Sequence, residues 1–200
     1  MDSIPYEGNI GIVTFNHGLT YYSIPEDLTD ENIKRTTCID FESPFCALSQ
    51  GELYLSVKDA RNKIDFLINH LTTLAQSYDT SKPASTNLDI LYESISQSME
   101  HTGGKVLIFG ASQPTLGKSA TAKLQVTDDG KVSKTFYNLK VAYDNQNEYI
   151  ETIGKSFNAN RISVDQFWFH GSDLDIATLA YVSQRTGGKF HYYPEYNSFT

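Results

Sequence analysis

Four short segments rich in β-branched and aromatic residues recur along the chain, and longer segments with helical spacing separate them. The strand-like segments are IGIVTF at 10–15, KVLIFGA at 105–111, VDQFWF at 164–169 and KFHYY at 189–193. Continuous apolar runs of this length are typical of strands that are buried on both faces of a parallel sheet. The alternation predicts an α/β fold with a mainly parallel central sheet flanked by helices.

Helical spacing of apolar residues predicts four helices between these strands. Residues that can cap or begin a helix precede two of them, and a Gly-Gly pair ends the last. The predicted helices are 59–78, 87–101 after the caps Ser85 and Thr86, 148–157, and a fourth that starts after Ser172 with Asp173 and Asp175 in its first turn and ends at Gly187-Gly188. Strand-helix-strand repetition therefore dominates the chain.

The start of the chain departs from this alternation of strands and helices. His17 and Gly18 form a turn, so residues 19–24 are predicted to be an antiparallel edge strand beside 10–15. The polar tract 25–32 that follows is predicted to be a loop. A domain of this class should not begin with an uncovered strand so close to Met1, so its natural first strand and helix are expected to be absent.

The composition favours one folded domain over residues 1–200. The chain is 40% apolar, with 13 Tyr and 11 Phe residues, and 16 basic against 24 acidic residues give it a net charge of -8. This charge disfavours binding to phosphate backbones or anionic lipid. Two cysteines, Cys38 and Cys46, indicate neither a disulfide framework nor a zinc site. The N-terminus has no apolar signal region and no run is long enough to span a bilayer, so a cytosolic, reduced chain is expected.

The stretch VLIFGASQPTLGKS at 106–119 has some features of a phosphate-binding loop. Such a loop needs four residues between its first Gly and the Gly-Lys-Ser, whereas Gly110 and Gly117 enclose six. Pro114 also removes one N–H donor that the loop would use. The spacing therefore favours a buried strand that leaves the sheet into an irregular loop.

No catalytic pattern is found elsewhere in the sequence. The five histidines are scattered, and neither a Gly-x-Ser-x-Gly elbow nor a His-Glu-x-x-His pair occurs. Asp173 and Asp175 could form a carboxylate pair, but helix capping explains both without a metal. We expect neither an enzyme, nor a metal site, nor a cofactor.

Three segments, spread between residues 41 and 196, resemble one known domain in the same order. They are FESPFCALSQGELYLSVKDARNKIDFLINHL at 41–71, GGKVLIFGASQPTLGK at 103–118 and ISVDQFWFHGSDLDIATLAYVSQRTGGKFHYYPEY at 162–196. These segments are similar to the trunk domain of the cargo-adaptor subunit of the COPII coat, the Sec24 family. The resemblance implies a von Willebrand A-like fold.

The resemblance also implies a non-enzymatic function in transport from the endoplasmic reticulum to the Golgi. Members of the family pair with a sister coat subunit, Sec23, lie on the cytoplasmic side of the endoplasmic reticulum membrane and gather cargo into vesicles. The residues present could be at most the trunk, and the strand that carries a metal motif in related A domains is missing. The alternatives are another von Willebrand A-type binding module or an enzyme acting on nucleotides.

In the family, arginines just after the loop at 110–118 help to capture acidic sorting signals. This chain has Leu-Gln-Val-Thr at 124–127 and then two aspartates. The candidate cargo-binding residues that the resemblance leaves are Lys118, Lys123 and Val182. An exposed lysine makes weak ion pairs, so we predict weak or no binding of acidic cargo signals.

The strands at 106–109 and 164–169 are also predicted to be buried neighbours in the sheet. Trp168 is expected to pack against a flanking helix. Leu107→Asp is then expected to unfold the domain, because an unpaired charge in a core costs several kcal/mol.

Overall fold

The computed structural model of the protein describes residues 7–24, 33–40, 45–77, 86–119, 136–169 and 174–194, with the backbone alone at 136–147. The chain divides into two compact units, Met1–Ala84 and Ser85–Thr200. A single trunk-like domain over residues 1–200 remains a prediction. The predicted loop at 25–32 and the residues Ser85 and Asp173 lie outside the described residues.

Within its described residues, the first unit contains two antiparallel sheets and two helices. Its elements are β1 (Asn9–Ile10), β2 (Val13–Phe15), β3 (Leu19–Ser23), β4 (Lys34–Cys38), α1 (Gln50–Leu53), β5 (Leu55–Ser56) and α2 (Arg61–Gln76). One sheet has the order β2-β3-β4, and the other joins β1 to β5. The predicted strand at 10–15 is therefore wrong in two ways, because it is divided between β1 and β2 and neither part joins a parallel sheet.

The antiparallel strand predicted at 19–24 is confirmed as β3, but it is the central strand of its sheet. β4 pairs with its second edge, from Leu19 opposite Cys38 to Ser23 opposite Lys34. The sequence KRTTC of β4 is polar and mostly exposed, so it carries no apolar signal of a strand. The side chains of Leu19 and Tyr21, in contrast, are almost completely buried.

The helix predicted at 59–78 is confirmed as α2, with slightly shorter bounds. Ile64 and Leu67 are its buried residues, and Leu67 joins a small core with Tyr22 and Ile33. Ile68 is exposed, so the buried face is narrower than the apolar stripe in the sequence.

The second unit contains the parallel sheet. Its elements are α3 (Leu88–Ser98), β6 (Gly104–Gly110), α4 (Phe136–Ala159), β7 (Ile162–Trp168), α5 (Ile176–Arg185) and β8 (Phe190–Tyr192). β6, β7 and β8 pair in that order and in parallel, with Val106 opposite Val164 and Phe167 opposite His191. The predicted α/β fold and the adjacency of the strands at 106–109 and 164–169 are confirmed.

The helices of the second unit begin and end near their predicted bounds, with one exception. The cap of α3 is Asn87 and not the predicted Thr86, and Asp175 caps α5; their side-chain oxygens accept the N–H groups of Asp89 and Thr178. The helix predicted at 148–157 is the last part of α4, which begins earlier, at Phe136. The polar Asp-Asn-Gln-Asn run at 144–147 interrupts the apolar spacing, so the spacing did not indicate the first part of this helix.

The two faces of the parallel sheet differ in burial. We call the face that carries Val106, Ile108, Val164, Gln166 and Trp168 the covered face, because α4 and α5 pack on β7 there. We call the opposite face, which carries Lys105, Leu107, Phe109, Asp165, Phe167, Phe169, His191 and Tyr193, the open face. Trp168 is 0% exposed on this face, and its packing against a flanking helix stays a prediction.

The expectation that β6 is buried on both faces is wrong. Leu107 is 51% exposed and Phe109 is 59% exposed. In the described part of the chain, β6 pairs only with β7, so β6 is also an edge strand of its sheet. Because Leu107 is half exposed, the structure does not support the prediction that Leu107→Asp unfolds the domain.

Candidate functional site

The loop that follows β6, residues 111–119, is the candidate site, and we call it the β6 loop. It leaves the carboxyl end of a parallel strand, which is where α/β folds place their binding surfaces. The start of α3 holds its middle: the carbonyl of Thr86 accepts the N–H groups of Thr115 at 3.0 Å and Leu116 at 3.2 Å. The Thr86 hydroxyl also lies 2.5 Å from the hydroxyl of Ser112.

The end of the β6 loop is bound by one carboxylate. Asp89, in the first turn of α3, accepts the N–H group of Lys118 through Oδ2 and that of Ser119 through Oδ1, the latter at 2.9 Å. Asp89 is 9% exposed. The Oδ1 atom of Asn87 accepts the N–H of Asp89 at 2.8 Å, so the helix cap also fixes the residue that holds the loop.

The loop can approach this carboxylate because residue 117 is glycine. Gly117 has a φ of 82°, a conformation that other residues adopt with strain. A Cβ atom at this position would overlap Oδ2 of Asp89 and lie 3.0 Å from Oδ1 of Asn87. Both the backbone angle and the close contact therefore require glycine here.

The Gly-Lys-Ser sequence thus has a structural role in this chain. In a phosphate-binding loop, successive backbone N–H groups donate to the oxygen atoms of phosphate. Here the N–H groups of Lys118 and Ser119 donate to Asp89. An internal carboxylate lies where such a loop would hold its ligand, in agreement with the argument from spacing.

The side chain of Lys118 lies over an aromatic ring with acidic neighbours. Its Nζ atom is 5.4 Å from the ring centroid of Tyr149 on α4, a distance typical of a cation–π contact. The hydroxyl of Tyr149 donates to Oε1 of Glu93 at 3.4 Å. Burial, and after it the negative charges of Asp89 and Glu93, raise the pKa of Tyr149 far above its ordinary value. The ring beneath the Lys118 ammonium therefore lies close to two carboxylates.

The structure places one of the three predicted cargo-binding residues at this site. Lys118 is exposed at the end of the β6 loop, and Lys123 lies outside the described residues. Val182 is 0% exposed in α5, which packs on β7. Its side chain has no surface that could contact a cargo peptide, and including it in the site was wrong.

Sequence reasoning missed the two residues that organise the site, Asp89 and Tyr149. The Asn-Leu-Asp start of α3 could be recognised as a helix cap. Its partner loop lies about thirty residues further along the chain, and no local pattern connects the two. Only the packing of α3, α4 and the β6 loop brings them together.

The described residues show neither a metal-ligand cluster nor a membrane-spanning helix. No group of three or more His, Cys, Asp or Glu residues there could hold a metal ion. No helix in that part of the chain has the length and apolar character needed to cross a membrane.

The fold and the site together define an α/β domain in which a parallel sheet presents a surface loop held in place by backbone hydrogen bonds. The family profile described as the Sec23/Sec24 trunk domain matches residues 1–200. The chain belongs to this family, and the resemblance seen in the sequence is confirmed.

Individual relatives agree with the family match. The chain is 27% identical over 202 residues to "Protein transport protein SEC24-2" of Naumovozyma castellii, with 98% of this chain and 21% of the relative covered. It is 27% identical over 194 residues to "Protein transport protein SEC24" of Chaetomium globosum, covering 94% of this chain and 19% of the relative. The chain thus spans about a fifth of the length of these curated relatives.

A solved structure shows the same fold. The crystal structure of the human COPII-coat protein Sec24c matches 97% of this chain and 24% of its own, with a TM-score of 0.71 and 23% sequence identity. At this identity the match concerns the fold alone. It confirms the expected mixed α/β architecture with a parallel sheet flanked by helices.

Proposed function

We propose that the chain acts as the trunk of a COPII vesicle-coat component in transport from the endoplasmic reticulum to the Golgi. It would act without catalysis, through contacts with a Sec23-like sister subunit and with cargo, on the cytoplasmic side of the endoplasmic reticulum membrane. The observation that carries the proposal is the match of all 200 residues to the Sec23/Sec24 trunk domain. The curated relatives named above, both described as transport proteins, support it.

Association with the sister subunit tests this proposal directly. The chain and a Sec23-like subunit would be co-expressed with a tag on one partner, then purified and analysed by size-exclusion chromatography. We expect one complex with both chains at micromolar concentration. A von Willebrand A domain from an unrelated adhesion protein, tagged in the same way, is the control for non-specific capture. Separate elution of the two chains at this concentration would contradict the proposal.

The charges around the β6 loop favour the prediction that acidic cargo signals bind weakly or not at all. Lys118 is the exposed, described member of the predicted cargo site, and its ammonium lies over Tyr149, the ring close to Asp89 and Glu93. A lone exposed ion pair contributes about 1 kcal/mol or less, and nearby carboxylates repel an acidic peptide. Calorimetric titration with a di-acidic peptide is expected to show no binding in the low micromolar range. Binding in that range that disappears in a Lys118→Ala, Lys123→Ala variant would contradict it.

A nucleotide-binding enzyme is less well supported, because the N–H groups it would need already donate to Asp89. A ligand at a hundred times its dissociation constant would stabilise the chain by about 2.7 kcal/mol. We expect ATP and GTP to leave the melting temperature unchanged. A shift that depends on nucleotide concentration would favour this alternative over a coat function.

A further inference from the structure

The β6 loop has the donors of an anion-binding site, and its own chain supplies the anion. Two successive N–H groups, those of Lys118 and Ser119, converge on the oxygens of one carboxylate. Consecutive backbone N–H groups around a concave turn commonly bind phosphate or carboxylate ligands. The Asp89 carboxylate meets the same requirement without a ligand from outside.

We propose that Asp89 determines the specificity of the β6 loop, because its carboxylate occupies the paired N–H groups of Lys118 and Ser119 and keeps external carboxylates out. The inference rests on the proposed function in taking the β6 loop as part of a peptide-binding surface. It adds the residue that would make this surface reject acidic peptides.

Displacing Asp89 from the loop would be unfavourable. The residue is buried in the first turn of α3, and its own N–H is held by Asn87. An external carboxylate would have to take both loop donors and leave Asp89 buried without them. Leaving a buried charged group without its hydrogen bonds is far more costly than exchanging two equivalent partners. The internal contact therefore competes strongly with any ligand of the same charge.

The side chains around Lys118 also disfavour the binding of an acidic peptide. Glu93 accepts a hydrogen bond from Tyr149, the residue beneath the Lys118 ammonium. An acidic peptide that reaches Lys118 would meet the negative charges of Glu93 and Asp89 at close range. Like charges placed together across an interface are unfavourable enough to exclude a partner. A neutral or basic peptide would not meet this repulsion.

Asp89→Asn separates charge from shape at this position. Asparagine has nearly the same size and keeps one oxygen that can accept a loop N–H, but it carries no charge. The probe is a synthetic peptide with an Asp-x-Glu motif, and its Asn-x-Gln version serves as the neutral control. We expect the affinity of the acidic peptide to increase by about tenfold or more in Asp89→Asn, since close like charges are removed. Affinity for the neutral peptide should stay within about twofold.

Two further variants distinguish this effect from loosening of the loop. Gly117→Ala disturbs the contact with Asp89 but keeps its charge, so amide exchange at Lys118 and Ser119 should increase while any gain in acidic-peptide affinity stays well below that of Asp89→Asn. Asp175→Asn removes the equivalent charge from the cap of α5, where Oδ1 of Asp175 accepts the N–H of Thr178 at 3.1 Å. It should change neither peptide affinity nor exchange in the loop.

The measurements are calorimetric titration for affinity and hydrogen exchange of the two loop amides in the same 200-residue chain. Unchanged acidic-peptide affinity in a folded Asp89→Asn variant overturns the inference, as does an equal gain in Gly117→Ala. If Asp89→Asn shows no cooperative melt, Asp89→Ser, a smaller neutral acceptor, takes its place under the same criteria. Co-purification of the wild-type chain with the sister subunit is scored separately, so failure of the coat function and failure of this inference give different results.

Discussion

The covered and open faces of the parallel sheet are built from the same three strands, yet apolar side chains of β6 are buried on the first and exposed on the second. On the covered face, Ile108, Val164 and Trp168 are almost completely buried. On the open face, Phe109, Phe167 and His191 stack in a row across the strands, with ring centroids 5.0 Å and 4.8 Å apart. An apolar side chain in a strand therefore does not by itself show that its face lies in the core.

The covered face also contains a buried polar network. The amide nitrogen of Gln166 donates to the carbonyl of Leu179 at 2.8 Å and to the hydroxyl of Ser183 at 3.0 Å, which joins β7 to α5. Its oxygen accepts the indole N–H of Trp168 at 2.9 Å. Because both ends of the Gln166 amide have partners, this polar side chain fixes the helix on the sheet without leaving an unpaired group.

The largest difference in folding stability between the faces is expected when a carboxylate replaces either of two adjacent apolar residues of β6. Ile108→Asp places an unpaired carboxylate on the covered face and should cost several kcal/mol, enough to prevent cooperative folding. Leu107→Asp lies on the open face and should cost about 1 kcal/mol or less, because its carboxylate can reach water. Thermal melts followed by circular dichroism would show the difference. Equal loss in both variants would contradict the assignment of the faces.

Truncation of an aromatic residue on each face should give the next largest difference. Trp168→Ala removes a completely buried ring that packs over Gly110, where an added Cβ would be 2.5 Å from the ring. We expect a loss of about 3 to 5 kcal/mol in urea unfolding. Tyr193→Ala removes a partly exposed ring on the open face and should cost about 1 kcal/mol. A loss for Tyr193→Ala as large as that for Trp168→Ala would show that the open face is buried in solution.

Removal of the Gln166 hydrogen bonds should reduce folding stability less than removal of the Trp168 ring does. Gln166→Met keeps the length of the side chain but leaves the indole N–H of Trp168 without its acceptor, which should cost about 1 to 3 kcal/mol. Gln184→Met, in the exposed last turn of α5, is the matched control and should stay within about 0.5 kcal/mol. Denaturant midpoints at constant m-value measure both. No loss in Gln166→Met would mean that the network contributes specificity without stability.

The smallest expected effect is on the pH dependence of folding stability, and it concerns Asp165 on the open face. Burial alone would raise the pKa of Asp165, but the hydrogen bonds from Lys105 and from the backbone N–H of Lys189 outweigh it and lower this pKa below its ordinary value of 3.8. A carboxyl group with a lowered pKa in the folded state stabilises the fold above its ordinary pKa, and this contribution is lost as the pH falls below it.

Asp165→Asn should therefore reduce stability at pH 7 and make it less dependent on pH below about 4. Asp65→Asn removes a partner of the exposed Arg61 pair on α2 and provides the control, with an expected effect of at most about 1 kcal/mol. Melting temperatures of the three proteins between pH 7 and pH 3 provide the test. Parallel curves for Asp165→Asn and the wild type would contradict the role given to Lys105.

Much of the second unit could be predicted from local patterns. The apolar runs of β6 and β7 and the Gly187-Gly188 stop after α5 gave their positions within a few residues. The first unit was harder to predict, because β4 has the polar sequence KRTTC and is recognisable only through its pairing with β3. The family itself could be recognised from three ordered segments, since sequence similarity does not require knowledge of the contacts.

The sequence by itself determined the α/β alternation, the Gly187-Gly188 stop and the capping role of Asp175 in α5. These features depend on residues that are near one another in the chain. Which face of β6 is buried, the burial of Val182 and the contact between Asp89 and the β6 loop were decided only by the tertiary structure. Burial and hydrogen bonding at these positions depend on elements that pack together from distant parts of the chain, so no local pattern of residues specifies them.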